Sequence, residues 1–89
     1  MPHSRFSRKE IVQRGEELYE QGIRARVEDQ HMGKIIVIDI ETGEYEIDET
    51  TLPAARRAQA KHPDAALYSK RIGYDAVYGF GAAPRRTKQ

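Results

Sequence analysis

The chain has 89 residues, 38% of them hydrophobic and 33% charged, with a net charge of +1 and no cysteine. That length makes one small domain with a modest core, and so small a net charge argues against global electrostatic steering onto nucleic acid. Disulfides and thiolate metal sites are excluded. No apolar run approaches the ~20 residues of a membrane span, and no signal-peptide core is present, so the expected location is the cytoplasm. A chain this small and polar buries little, which makes a protein partner or a homodimer an expectation from the outset.

Residues 1–6 form a short basic lead-in. The first helix is expected from Arg8 to Gln21. Ser7 supplies a cap, Glu10 three residues later completes a capping box, and Phe6 is placed to staple onto Ile11. Gly22 suits a left-handed helix stop, with Ile23 reaching Leu18 across it. Ile11, Val12, Leu18 and Tyr19 make the apolar stripe. Gly15 lies on that stripe at a cost of about 1 kcal/mol against alanine, which close approach of another backbone would explain. From Ile23 to Met32 the pattern leaves a short strand, an extended connector and a helical turn all open, and it offers Arg24 and Arg26 as counter-ions. His31 falls in a turn and reads as a surface residue.

Lys34 to Ile40, then Glu41-Thr42-Gly43-Glu44, then Tyr45 to Asp48 reads as a β-hairpin, the densest apolar stretch of the chain. Ile36, Ile38 and Ile40 share one face. With Thr42-Gly43 as the tip, Ile40 opposes Tyr45 and Ile38 opposes Ile47, and a slip by one residue would mate Ile38 with Glu46. The other face then sets Asp39 against Glu46 and Glu41 against Glu44, like charges that cost roughly 0.2–1 kcal/mol per pair. Something basic should sit beside them.

A second helix opens around Asp48 to Pro53, with Thr50 among the candidate caps and Pro53 in its first turn. Leu52, Ala55, Ala58 and Gln59 form its thin stripe, and His62-Pro63 ends it. Ala65 to Ile72 is a third strand with Ala66, Tyr68, Lys70 and Ile72 on one face. Gly73 breaks it. Ala76 to Phe80 is a final strand or an aromatic flap, and residues 81–89 read as a disordered basic tail.

The expected fold is therefore α+β: an N-terminal helix followed by a β-β-α-β unit, with a three-stranded antiparallel sheet, the first hairpin strand central, and helices on one face. Residues 7–80 make up the single domain.

Asp39-Ile40-Glu41-Thr42-Gly43 resembles the first metal motif of the DEDD 3′–5′ exonucleases, whose two carboxylates hold divalent ions. That fold needs a longer chain and further aspartates, and only Glu49, Asp64 and Asp75 follow Asp48. An EF-hand loop starting at Asp39 fails because Glu44 stands where glycine is required. No nucleophile elbow and no phosphate loop are present. The expectation is a non-enzyme without catalytic residues, cofactor or metal.

Gly15-Glu16-Glu17-Leu18-Tyr19, Gly33-Lys34, the run Asp39 to Asp48 and Arg71-Ile72-Gly73-Tyr74 together resemble a family of short bacterial proteins, frequent in cyanobacteria. That family looks like the small partners encoded in two-gene modules, toxin–antitoxin pairs among them. The resemblance implies an antitoxin-like role and assigns no functional residue.

The leading expectation is a partner-binding module that docks a basic surface on its acidic hairpin face: Ile35, Val37, Asp39, Glu41, Glu44 and Glu46. The alternative is a small nucleic-acid binder using Arg8, Lys9, Arg56, Arg57, Lys61, Arg85 and Arg86, whose phosphate contacts would be salt-sensitive.

Overall fold

The computed structural model describes residues 5–74. Within them the elements run α1 (Arg8–Leu18), a π-helical turn (Tyr19–Ile23), α2 (Arg24–His31), β1 (Ile35–Asp39), β2 (Tyr45–Asp48), α3 (Thr51–Lys61) and β3 (Leu67–Arg71). The expected Ala76–Phe80 element and the 81–89 tail lie outside the described residues.

The capping box forms as the residues require. The Ser7 side chain accepts from the Glu10 amide, the Glu10 carboxylate accepts from the Ser7 amide, and Phe6 and Ile11 both pack on the core. The helix does not stop at Gly22, however. It passes through the π turn, closed by the Arg24 amide donating to the Tyr19 carbonyl, and continues to His31. The cause is visible in the spacing. Ile11, Gly15, Tyr19, Ile23 and Val27 recur every fourth residue, and at 3.6 residues per turn each step overshoots by about 40°. A wider π turn in mid-helix undershoots and brings the stripe back. Gly15, Tyr19, Ile23 and Val27 are all buried as a result.

The sheet is antiparallel in the order β2-β1-β3, with the first hairpin strand central as expected. Its register places Ile38 opposite Tyr45 and Ile36 opposite Ile47, two residues from the expected pairing. The loop is longer than a two-residue turn. The Asp39 amide donates to the Glu44 carbonyl and the Gly43 amide to the Asp39 carbonyl, each at 2.8 Å. Asp39 Oδ1 also accepts from the amides of Glu41 (2.9 Å) and Thr42 (3.4 Å), so its carboxylate holds the loop open. Gly43 sits at φ 81°, where a Cβ would be strained. Ile40 leaves the hairpin and donates to the Ala66 carbonyl on the β3 side. A two-residue shift keeps every side chain on its expected face.

The layering differs from the expected one. Ile36, Ile38 and Ile40 pack with Tyr19, Ile23, Val27, Ala66, Tyr68 and Ile72 beneath the long N-terminal helix. Ile35 and Val37, on the opposite face, pack with Ala54 and Ala58 of α3. The helices therefore cover both faces of the sheet, and all five residues of β1 are buried. Burying a branched aliphatic side chain contributes about 1.5–3 kcal/mol, so this central strand holds the domain together. The buried side of α3 is Ala54 and Ala58; Leu52 is 57% exposed and Gln59 faces solvent. Two alanines one turn apart let the helix axis approach the sheet, which a leucine in that row would prevent. Thr50 caps α3 by position, without a side-chain bond.

Candidate functional site

The hairpin's carboxylates were expected to look outward, unsatisfied. Glu41, Glu46 and Asp48 are held by this chain's own cations. Arg57 donates through Nε to Glu46 Oε1 (2.9 Å), through Nη1 to Asp48 Oδ2 (2.9 Å) and through Nη2 to the Ile47 carbonyl (2.8 Å). Lys61 Nζ stands 2.7 Å from Glu46 Oε2. Arg57 and Lys61 are one turn apart on α3, so both reach β2 from the same side. These contacts hold Glu46 below the usual carboxylate range, Lys61 first and Arg57 second, and hold Asp48 low through Arg57. The guanidinium of Arg57 and the ammonium of Lys61 are raised in return.

The remaining acids follow suit. Glu41 Oε1 accepts from Arg5 Nη2 at 2.7 Å, and the same nitrogen reaches the Asp64 carbonyl at 3.2 Å. Glu44 Oε1 lies 3.5 Å from His62 Nε2. Asp39 is 3% exposed and turned into its loop. The acidic hairpin face is thus largely answered within the chain, and what stays open beside it is a depression of about 250 Å³ next to Asp39, Glu41 and His62. Ile35 and Val37 lie under α3, Asp39 serves the turn, Glu41 and Glu46 are paired within the chain, and Glu44 is exposed with His62 3.5 Å away. Arg24 does not serve that face either, since it bonds Glu20 and Glu28 along its own helix, a pairing that raises it. The Asp39–Glu41 pair of the exonuclease-like motif is likewise divided between a loop and Arg5. Among the described residues no group of three or more His, Asp or Glu side chains could hold a metal ion.

Among the described residues the expected nucleic-acid cations do not share one surface. Arg8 and Lys9 are exposed at the start of α1, while Arg56 is exposed on α3, across the sheet. Arg57 and Lys61 are committed to Glu46. Arg85 and Arg86 lie outside the described residues.

On the α1 side a polar cluster is buried that the sequence reading did not single out. Lys70 is 7% exposed, and its Nζ sits 4.1 Å from the centre of the Tyr19 ring and 3.9 Å from Glu16 Oε2. Such a cation over an aromatic face is attracted by the ring quadrupole. The Tyr68 hydroxyl donates to the same Glu16 oxygen. Tyr19 is 1% exposed, and burial first, then the nearby Glu28, pushes its hydroxyl up to about 12. The signal was available: the alternation from Ala66 to Ile72 places Lys70 on the core face.

The open feature of this side is a groove of about 450 Å³ between α1 and the hairpin, lined by Glu10, Gln13, Arg14, Glu17, Leu18, Gln21 and Ile40. Leu18, Tyr45 and Ile47 pack against the core from here and stay only half-buried. Arg14 is drawn over the Phe6 ring, 5.2 Å from its centre.

Comparison with known proteins found no matching family model, no matching curated protein and no matching solved structure. No helix among the described residues is long and apolar enough to cross a membrane.

Proposed function

We propose that the chain is a non-enzymatic partner-binding module of the antitoxin-like kind, and that it binds through the α1–hairpin groove instead of the acidic hairpin face. The observation that supports this reading is the contrast between the two sides of the sheet. The α3 side is filled by alanines and ion pairs, with a smaller depression of about 250 Å³ left beside Asp39, Glu41 and His62. The α1 side keeps a groove lined by Leu18 and Ile40 together with Glu10, Arg14 and Glu17; Glu10 is engaged by the Ser7 amide and Arg14 lies over Phe6, which leaves Glu17 as the available charge of the groove. Its chemistry suits a partner segment with an apolar anchor flanked by a basic residue, since charge complementarity sets orientation and partner choice. The resemblance of the hairpin run to small partners of two-gene modules makes the product of the adjacent gene the first partner to test.

The test is site-specific photocrosslinking with that protein co-expressed. A crosslinker at Gln13 or Gln21 should trap it, one at Arg56 should not, and Glu17→Lys should weaken the capture. Equal capture at all three positions, or none, would refute the groove. Salt-steep binding of duplex DNA that depends on Arg56 would instead favour the nucleic-acid reading.

A further inference from the structure

The outer edge of β2 carries a second inference, independent of the groove. Backbone groups of a strand point alternately to its two neighbours. Asp39 bonds Glu44, so Glu44, Glu46 and Asp48 direct their amides and carbonyls to β1, and Tyr45 and Ile47 direct theirs outward. Of those four outward groups, only the Ile47 carbonyl has a partner among the described residues, the Nη2 of Arg57. Neither proline nor a bulge breaks this edge. The opposite edge, β3, carries Lys70 pointing inward, a feature that discourages added strands.

We propose that β2 is a self-pairing edge, and that a second copy of this chain adds its own β2 antiparallel to it. The register is dictated by the residues. A strand pair must keep each face together, and only the pairing centred on Glu46 joins both apolar residues, setting Tyr45 against Ile47 of the second copy and Ile47 against its Tyr45. Those positions own the outward backbone groups, so the four new hydrogen bonds form at the two apolar pairs. The Ile47 carbonyl keeps Arg57 on one lone pair and takes the Tyr45 amide of the second copy on the other, so the rigid guanidinium holds its place against both carboxylates. The two Glu46 side chains meet at the axis on the α3 face, where like charges would repel. Each arrives already paired to Arg57 and Lys61, which removes that objection. Two four-residue strands fall short of the roughly 1,200 Å² that stable complexes bury, so the dimer is concentration-dependent.

The chain has no cysteine, which makes the register directly testable. Facing residues in the wide, non-hydrogen-bonded pair have Cα atoms about 4.5 Å apart, within disulfide range. Glu46→Cys should therefore oxidise to a covalent dimer at least tenfold faster than Ser69→Cys on the exposed β3 edge. Hydrogen exchange on the unaltered chain supplies a measurement that does not depend on either variant folding. As concentration rises from about 10 μM to about 1 mM, the Tyr45 and Ile47 amides should slow several-fold while the Leu67 and Ser69 amides do not. Equal crosslinking of the two cysteine variants, or Tyr45 and Ile47 amides whose exchange ignores concentration, would overturn the proposal.

Discussion

Two glycines in the long N-terminal helix should respond oppositely to the same substitution. At Gly15 an added Cβ would fall inside the van der Waals shell of Tyr68 Cβ, Cγ and Cδ2. That ring cannot swing aside, because it is 4% exposed and its hydroxyl is tied to Glu16. Overpacking of this kind costs about 1–3 kcal/mol or more, against a helix-propensity gain of about 1 kcal/mol. With the ring fixed the cost lies at the upper end of that range, so Gly15→Ala should be destabilising on balance, by about 2 kcal/mol or more. At Gly22 the added methyl meets nothing within 4 Å and the backbone is helical. Gly22→Ala should stabilise by about 0.5–1 kcal/mol. In a domain this small each kcal/mol moves Tm by roughly 4–8 °C, so thermal melts followed by circular dichroism separate the two variants easily. The cause is checked by removing the ring: on a Tyr68→Ala background, Gly15→Ala should become neutral or stabilising. Two glycine variants that shift Tm in the same direction, or a Gly15→Ala cost that survives loss of the Tyr68 ring, would refute the packing argument.

Other parts of the fold yield shorter tests. Asp39→Ala leaves two loop amides without their acceptor and should cost about 1–3 kcal/mol in urea unfolding, with Asp39→Asn closer to the original because it keeps an acceptor oxygen. Lys70→Met removes one partner of a part-buried pair and leaves Glu16 with only the Tyr68 hydroxyl, so it should destabilise in urea unfolding, and adding Glu16→Gln should recover part of the loss, since breaking one half of a buried pair costs more than replacing both; an unchanged midpoint in Lys70→Met would show that the cation over Tyr19 contributes nothing net. The folded-state pKa of Glu46 lies below its unfolded value, so its contribution is fully present above the unfolded pKa of about 4.3 and fades as pH falls through the folded value. The unfolding midpoint should therefore drop between pH 5 and pH 3 by less in Glu46→Gln than in the unaltered chain. Gly73→Ala should destabilise, because φ is 89° there and the new methyl would meet Met32 Sδ.

The parts of the fold that follow from local chemistry were legible. Ser7 and Glu10 announce a helix start whatever the rest of the chain does, and the alternation of Ala66, Tyr68, Lys70 and Ile72 fixes a face. What the sequence hid were choices between locally similar outcomes. Gly22 followed by Ile23 reads as a helix stop, yet continuing through a π turn buries Ile23 and Val27, and that tertiary gain outweighs the local preference for ending. Thr42-Gly43 reads as a two-residue tip. The Asp39 carboxylate, which satisfies two loop amides, tips the balance to the longer loop. Because the resulting shift is by two residues, the error in pairing left the assignment of faces intact. A shift by one would have inverted both.

The carboxylates expected to stand unpaired on the hairpin are paired for a related reason, and the reason lies in α3. A face that mixes Ile35 and Val37 on the central strand with Glu46 and Asp48 on the edge strand needs a cover that is small and apolar along its middle and basic along its rim. Ala54 and Ala58 supply the first, and Arg57 and Lys61, each three residues further on, supply the second. Both patterns stand in one eleven-residue helix. Reading the stripe as Leu52, Ala55, Ala58 and Gln59 turned that helix by a residue and hid their match. Once the helices are placed on one face of the sheet, the complementary basic surface has to be sought on another molecule. With α3 on the other face the complement is intramolecular, and the search for a partner moves to the groove beside Leu18 and to the outward backbone of Tyr45 and the amide of Ile47, which have no hydrogen-bond partner among the described residues.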